Sequence, residues 1–279
     1  QGFVYASDTE ITDTIEQQML EKIDMSDVEK YIMRIPGEGT DKLINRKEEA
    51  SVYHAIAGKD LSDRVLYINP ENGYKITEFY QDARVCNAYN KLDVKCCLER
   101  LREFHEMKLQ VEHEFDLFAQ IEFYESLWQG ISSMYSDYAE TKLKVFSLQN
   151  YIDEHKEAYC LTHIDAVPDN FLILNDGSIK LIDWEYAAMQ DPHVDIAMFA
   201  IYSLYDKEQV DSLIDTYFNG FCPQETRIKI YCYIAVCGLL WSNWCEYKEK
   251  LGVKFCEYAY RQYQYAKNYF DIVQSYLIN

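Results

Sequence analysis

Residues 161–187 read LTHIDAVPDNFLILNDGSIKLIDWEYA. Two short apolar runs, FLIL at 171–174 and IKLID at 179–183, flank Asn175-Asp176-Gly177-Ser178. Asn, Asp and Gly supply the backbone conformations of a tight hairpin turn, so Asp176 and Gly177 need no role beyond it. A hairpin returns its ends to one side, which brings Asn170 at its entrance towards Asp183 at its exit. Both carry hard oxygen donors of the kind that hold Mg²⁺. Asp165, on the loop just before, is placed to take a proton from an attacking hydroxyl. A positioned base beside oxygen ligands that hold metal against phosphates is what phosphoryl transfer requires. His163 reads either as a metal ligand or, preferably, as the residue that orients this loop by hydrogen bonding. A metallohydrolase cluster of His163, Asp165, Asp183, His193 and Asp195 is disfavoured, because it would want convergent imidazoles and only two are present.

The whole chain bounds what this hairpin can belong to. At 279 residues and 48% hydrophobic content it can bury one large domain or two lobes and is not generally disordered. A formal net charge of −20 argues against a nucleic-acid or anionic-membrane surface, which needs clustered Lys and Arg. The same acidity tolerates a local nucleotide site with Mg²⁺ compensating charge, and it favours a cationic substrate. Nine Cys without a CxxC pair read as reduced, mostly buried thiols of a cytoplasmic protein. There is no signal-peptide pattern, and the apolar stretch 228–244, interrupted by Lys229, reads as a buried helix rather than a membrane span.

Ahead of the hairpin lies a small α+β unit. KYIMRI (30–35) has strand composition and stops at Pro36-Gly37; a helix is expected over 41–57. Residues 64–80 read as two strands joined by Pro70-Glu71-Asn72-Gly73. Beyond Tyr80 the pattern turns helical. Cys97, Leu98, Leu101 and Phe104 recur at helical spacing within 92–105. Further helices are expected over 112–134, 141–155, 193–205, 207–219 and from 223 onward. The expected plan is a small mixed lobe over 1–80, which the resemblance described next implies to be nucleotide-binding, and a mainly helical lobe over 81–279 that carries the hairpin.

HIDAVPDN (163–170) followed by LIDWEY (181–186) resembles the catalytic loop and metal-binding segment of choline/ethanolamine kinases. These belong to the aminoglycoside-phosphotransferase-like branch of the protein-kinase fold. HxDxxxxN with the hairpin and IDWEY at this spacing is a specific match, and HIDxVPDNF is most similar to bacterial choline kinases. YIMRIPGEGTDKLINRKEE (31–49) resembles the third strand and following helix of the same family, YKITEFY (74–80) its last small-lobe strand and hinge, and LREFH (101–105) its first large-lobe helix.

The resemblance implies an α+β, bilobal protein-kinase-like fold, with an antiparallel-sheet lobe and a mainly helical lobe. It implies ATP and Mg²⁺ as cofactors and choline as the phosphoryl acceptor. Asp165, in the catalytic loop with His163, is then the base. Asn170 and Asp183 hold metal, with Glu185 supporting them or serving a second ion. Arg34 meets the nucleotide phosphates, oriented by Glu49 with Glu48 a close rival, and backbone near Glu78 and Phe79 meets adenine. One departure stands out. The family carries a Gly-rich phosphate-covering turn ahead of the Arg34 strand, whereas residues 1–30 contain only Gly2. The expectation is that residues are missing before DVEKYIMRI, rather than that this branch uses a different loop.

A quaternary ammonium offers no N–H donor and is held by aromatic faces and nearby carboxylates. Trp241 and Trp244 share one face of a helix, and with YAYR (258–261) they resemble the WxxW and following helix of choline kinases. The resemblance places Trp241, Trp244 and Tyr258 in the acceptor pocket, Tyr186 at its side, and Asp195 in a motif that supports loop or substrate. Aromatics at helical spacing are more often core, and Phe255, Tyr260, Tyr263 and Tyr265 are assigned to packing or surface. Ethanolamine or an aminoglycoside remains an alternative acceptor, and a catalytically weak choline-binding protein an alternative role.

Overall fold

The structure, a computed structural model, describes residues 30–36 and 43–278. The segment ahead of the Arg34 strand, where the phosphate-covering turn is expected to be missing, lies outside these residues.

The first strand, β1 (Tyr31–Arg34), leads to helix α1 (Arg46–Ile56) and strands β2 (Val65–Ile68) and β3 (Lys75–Glu78). The three strands form an antiparallel sheet in the order β1-β3-β2, with Arg34 opposite Lys75 and Tyr31 opposite Glu78. Helix α1 begins at 46, not 41, because the Asn45 side chain accepts hydrogen bonds from the Lys47 and Glu48 N–H groups. Its buried face, Arg46, Glu49, Val52, Tyr53 and Ile56, mixes charge with apolar surface. Gly73 closes the β2–β3 turn at φ +71, and a Cβ there would stand 2.6 Å from Arg46 Cδ. This position therefore requires glycine for both conformation and space.

Strand β4 (Arg84–Val85) follows, then helices α2 (Lys91–Glu106), α3 (Leu117–Ser126), α4 (Tyr138–Phe146) and α5 (Gln149–His155). The helix expected over 112–134 is restricted to α3. Asp116 caps its start by accepting from Phe118 N and Ala119 N, and Gln129 and Gly130, both at positive φ, lie beyond its end. The segment before Asp116 is extended instead, Phe115 N donating to Met189 O. The helix expected over 141–155 breaks at Ser147–Leu148 into α4 and α5.

Next come β5 (Cys160–Thr162), β6 (Phe171–Ile173), β7 (Ile179–Leu181) and β8 (Ala188–Gln190). Strands β6 and β7 are the hairpin, with Phe171 opposite Leu181. It is extended by β4, so the chain leaving the small sheet pairs directly with this hairpin. Strands β5 and β8 pair antiparallel on either side of the hairpin and the loop that precedes it. Helices α6 (Val194–Tyr202), α7 (Lys207–Tyr217), α8 (Gln224–Lys250) and α9 (Glu257–Leu277) complete the fold.

Helix α8 is the centre of this lobe and is buried on nearly every side from Ile228 to Tyr247. It is long and apolar enough to cross a membrane by composition, but 94% of that window is buried against the rest of the protein. At Gly238 the backbone of α9 comes so close that an added Cβ would lie 2.7 Å from Gln262 O. Lys229, inside α8, is satisfied by Asp191 at 2.8 Å, both side chains being fully buried. All nine cysteines are free, and six of them are buried.

Candidate active site

Three turns in succession shape the loop ahead of the hairpin. Val167 N donates to Asp165 O at 2.7 Å, Asn170 N to Val167 O at 2.9 Å, and Pro168–Asn170 form one 3-10 turn. Ile182 N then donates to Asn170 O at 2.9 Å and seals the open end of the hairpin. Asn170 and Asp183 thereby flank one point, as the hairpin reading requires. The Asn170 amide donates to Asp165 O at 2.9 Å and to Asp165 Oδ2 at 3.1 Å. Asp183 has φ +62 and Ile164 φ +66; Asp tolerates this conformation, but for β-branched Ile164 it is strained.

Asp165 is 4% exposed, and its Oδ1 is buried without a hydrogen-bond partner among the described residues. Burial, reinforced by the charges of Asp183 and Glu185, pushes its carboxyl up to about 8. The Tyr202 hydroxyl is close enough to favour the anion without meeting hydrogen-bond geometry.

The structure puts His163 behind the loop. It is fully buried, its Nε2 donates to Ile182 O at 3.0 Å, and its ring lies 4.6 Å from that of Trp184. Burial lowers its basicity, so the ring is neutral. It ties the loop to the strand that carries Asp183. Asp195, expected to support loop or substrate, stands on the loop side, on the same hidden face as His163, and is removed from the acceptor pocket. Its carboxylate is fully buried and accepts from His163 N at 2.9 Å, Ile164 N at 2.7 Å and His105 Nε2 at 2.9 Å. Fully buried and held by these three donors, it presents no oxygen to a substrate.

Arg34 links the small sheet to this loop. It donates to Glu49 in a short contact, to Asp183 Oδ1 at 3.3 Å and to Glu185 Oε2 at 3.2 Å. Burial opposes the guanidinium charge, but these three carboxylates outweigh it and keep Arg34 firmly protonated. Of the two rival partners, Glu49 makes the contact; its side chain is fully buried and also meets Arg46 at 3.2 Å and Lys75 at 3.6 Å. Burial and the Asp183 charge push Glu185 up to about 7. No group of three or more His, Cys, Asp or Glu is gathered at metal-binding separation among the described residues. The Asp183 and Glu185 carboxylates and the Asn170 amide oxygen are nonetheless hard donors of the kind that suit Mg²⁺, and the two carboxylates meet on the cationic head of Arg34.

The expected adenine contacts are partly spent. Glu78 N donates to Arg64 O at 2.9 Å and Phe79 N to Lys30 O at 3.0 Å. Both N–H groups are therefore committed within the small lobe.

The aromatics expected in the acceptor pocket do come together. Trp241 lies 5.5 Å from Trp244, Trp244 5.2 Å from Phe255, Phe255 6.3 Å from Tyr258, Tyr258 5.8 Å from Tyr202, and Tyr202 5.6 Å from Trp241. These five rings close a circuit, and Tyr186 joins it through Trp241 at 5.8 Å. Tyr202 and Tyr258 both feel the charge of Asp165, so the circuit lies next to the loop. Two members escaped the sequence reading. Phe255, assigned to packing, belongs to the circuit. Tyr202 closes it from α6, and its position seven residues after Asp195, on the same helical face, was the available signal.

Comparison with known proteins agrees with this geometry. The profile of the family described as choline/ethanolamine kinase matches residues 9–219, a range that ends before the helices carrying Trp241 and Tyr258. Protein LicA of Haemophilus influenzae is 28% identical over 247 residues, covering 84% of this chain and 91% of that protein. The crystal structure of choline kinase LicA from Streptococcus pneumoniae superimposes with a TM-score of 0.79 at 25% identity, covering 95% of this chain and all of that one. LicA in complex with AMP gives a TM-score of 0.73 at 28% identity over 87% of this chain and 84% of that one. With its loop, hairpin and Arg34–Glu49 pair, this α+β, protein-kinase-like chain belongs to the choline/ethanolamine kinase family.

Proposed function

We propose that the enzyme transfers the γ-phosphoryl group of ATP to the hydroxyl of choline, and that it does so in the cytoplasm. The observation that carries this reading is the aromatic circuit set beside a buried, incompletely bonded Asp165 carboxylate. A trimethylammonium group packs against ring faces by cation–π attraction. Trp244 already takes part in such a contact, with Lys248 Nζ 5.4 Å from its ring centroid. The LicA structures support choline as acceptor and an adenine nucleotide as donor, and free thiols suit a reducing compartment.

Asp165 accepts the hydroxyl proton at its open Oδ1, and a carboxyl poised near 8 is matched to base work close to neutrality. The Asn170 amide fixes its other oxygen. Asn170, Asp183 and Glu185 would hold Mg²⁺, which when bound neutralises charge on the phosphates. Arg34 turns from Asp183 and Glu185 towards the donor phosphates while Glu49 keeps its other nitrogen. Adenine reaches the hinge through carbonyl groups or through backbone just past Phe79, since the N–H groups of Glu78 and Phe79 are taken. The lobe boundary is put at Tyr80, ahead of β4.

The test is ATP consumption by the purified protein against choline, ethanolamine and an aminoglycoside panel. Turnover is expected to be highest in kcat/KM with choline. Preference for ethanolamine or an aminoglycoside would reassign the acceptor, and no turnover with any of them would favour a binding role.

A further inference from the structure

Trp244 and Lys248 stand one turn apart on the same face of α8. Lys248 is half-buried and folds back over the indole, its Nζ 5.4 Å from the ring centroid. An ammonium that gives up water in this way ordinarily takes a carboxylate in exchange. The carboxylates beside it in the helix are engaged elsewhere. Glu246 accepts from Ser133 Oγ at 2.6 Å and from Met134 N at 3.0 Å, and Glu249 accepts from Phe255 N at 3.4 Å. Among the described residues, Lys248 makes no ion pair and no hydrogen bond. The carboxylate whose charge reaches it is that of Glu185, which opposes the loss of basicity that burial imposes. Glu185 directly precedes Tyr186, whose ring meets Trp241 at 5.8 Å. The unpaired ammonium thus has the acceptor circuit on one hand and a proposed metal ligand on the other.

A cation held there acts unequally on the two ends of the reaction. Choline arrives as a cation, so Lys248 both repels it and covers a ring face that it needs. The product carries a phosphate of charge about −2, which the same ammonium attracts. An interaction that strengthens from substrate to transition state raises kcat, even where it weakens substrate binding.

We propose that Lys248 is a further catalytic residue: displaced from Trp244 by the trimethylammonium of choline, its ammonium turns to the oxygens of the phosphoryl group in transfer and stays with the phosphate of the product. This rests on the reading of choline as acceptor and Asp165 as base. In that step the choline oxygen bonds to the γ-phosphorus, the bond from that phosphorus to the ADP oxygen breaks, and the hydroxyl proton passes to Asp165. Lys248 keeps its own proton throughout.

The test compares wild type, Lys248→Met and Lys248→Arg. Calorimetry with MgADP present reads the Kd of choline and of phosphocholine separately, and steady-state turnover reads kcat. In Lys248→Met the choline Kd should fall about two- to fivefold. The phosphocholine Kd should rise about tenfold and kcat should fall at least about tenfold, the scale of one charge-assisted hydrogen bond. Lys248→Arg keeps the charge and should recover most of both losses. A residue that only blocked the cage would tighten choline and leave phosphocholine and kcat no worse, and that result overturns the proposal. Parallel changes in the two Kd values, or no recovery by Lys248→Arg, overturn it equally. If the wild type does not phosphorylate choline, the acceptor reading fails instead, and the same comparison is made with the acceptor it does phosphorylate and that acceptor's phosphate ester.

Discussion

Replacing Trp244 by Leu removes a ring face from the acceptor circuit while keeping apolar bulk. Trp244 meets Trp241 at 5.5 Å and Phe255 at 5.2 Å, and its own flank already takes the Lys248 ammonium at 5.4 Å. Its neighbour Trp241 is 2% exposed, so loss of that ring would confound binding with core damage; Trp244 is only partly buried and is the cleaner choice. A desolvated cation–π contact contributes about 2 kcal/mol. At 1.4 kcal/mol per tenfold change, that is about a 30-fold rise in choline KM. The KM for ATP should stay within about twofold, since the nucleotide groups lie on other elements. A coupled assay of ADP release, with choline and ATP varied in turn, reads both constants. Trp244→Phe, which keeps a smaller face, should fall between wild type and Trp244→Leu. A choline KM that stays within about threefold of wild type in Trp244→Leu would refute the cage, because no cation–π contact of the required strength could have been lost.

Other substitutions test the surrounding electrostatics. Lys248→Met frees the Trp244 face of a resident cation and should lower choline KM by about two- to fivefold; an unchanged or raised KM would show that Lys248 does not compete. The Asp165 carboxyl, lifted to about 8 by burial and then by Asp183 and Glu185, should give kcat/KM an acid limb, with activity rising with pH as the proton leaves. Glu185→Gln removes one of the raising charges and should move that limb to lower pH; a shift to higher pH would contradict the assignment. A carboxyl raised in the folded state costs stability as pH climbs from its unfolded value to about 8. Asp165→Asn should therefore gain Tm relative to wild type above that pH and lose the advantage in acid. Lys229→Met strands the Asp191 carboxylate in the core and should cost about 3 kcal/mol, or about 6–12 °C in Tm. A melt within about 2 °C of wild type would show that Tyr233 and the Glu157 and His193 N–H groups satisfy Asp191 without it.

The hairpin was legible because its turn chemistry is local. Asn175 to Ser178 encode the reversal, and the convergence of Asn170 and Asp183 follows from geometry alone. The strands β4, β5 and β8 were not legible. Each is two or three residues long, too short for a period, and exists only because a distant segment pairs with it. Helix ends failed where a single side chain decides them, as at Asn45 and Asp116. In the site, Arg34 and Glu49 could be matched by motif, but the contact of Arg34 with Glu185 depends on how the small sheet sits over the loop. For Asp195 the sequence left loop and substrate open, and only the fold reveals that it accepts from His163, Ile164 and His105. Phe255 was passed over for a similar reason. Membership in the circuit is fixed by the packing of α9 against α8, and sequence spacing does not report that packing.

The most direct measurement is phosphocholine formation by wild type and by Asp165→Asn, followed by phosphorus NMR at saturating ATP, Mg²⁺ and choline, with thermal melts to confirm that the variant is folded. Wild type should convert ATP and choline to ADP and phosphocholine one for one. The folded variant should be slower by about 10²- to 10⁴-fold, the usual contribution of a general base. Phosphocholine formation by Asp165→Asn at the wild-type rate would contradict the assignment of Asp165 as the base.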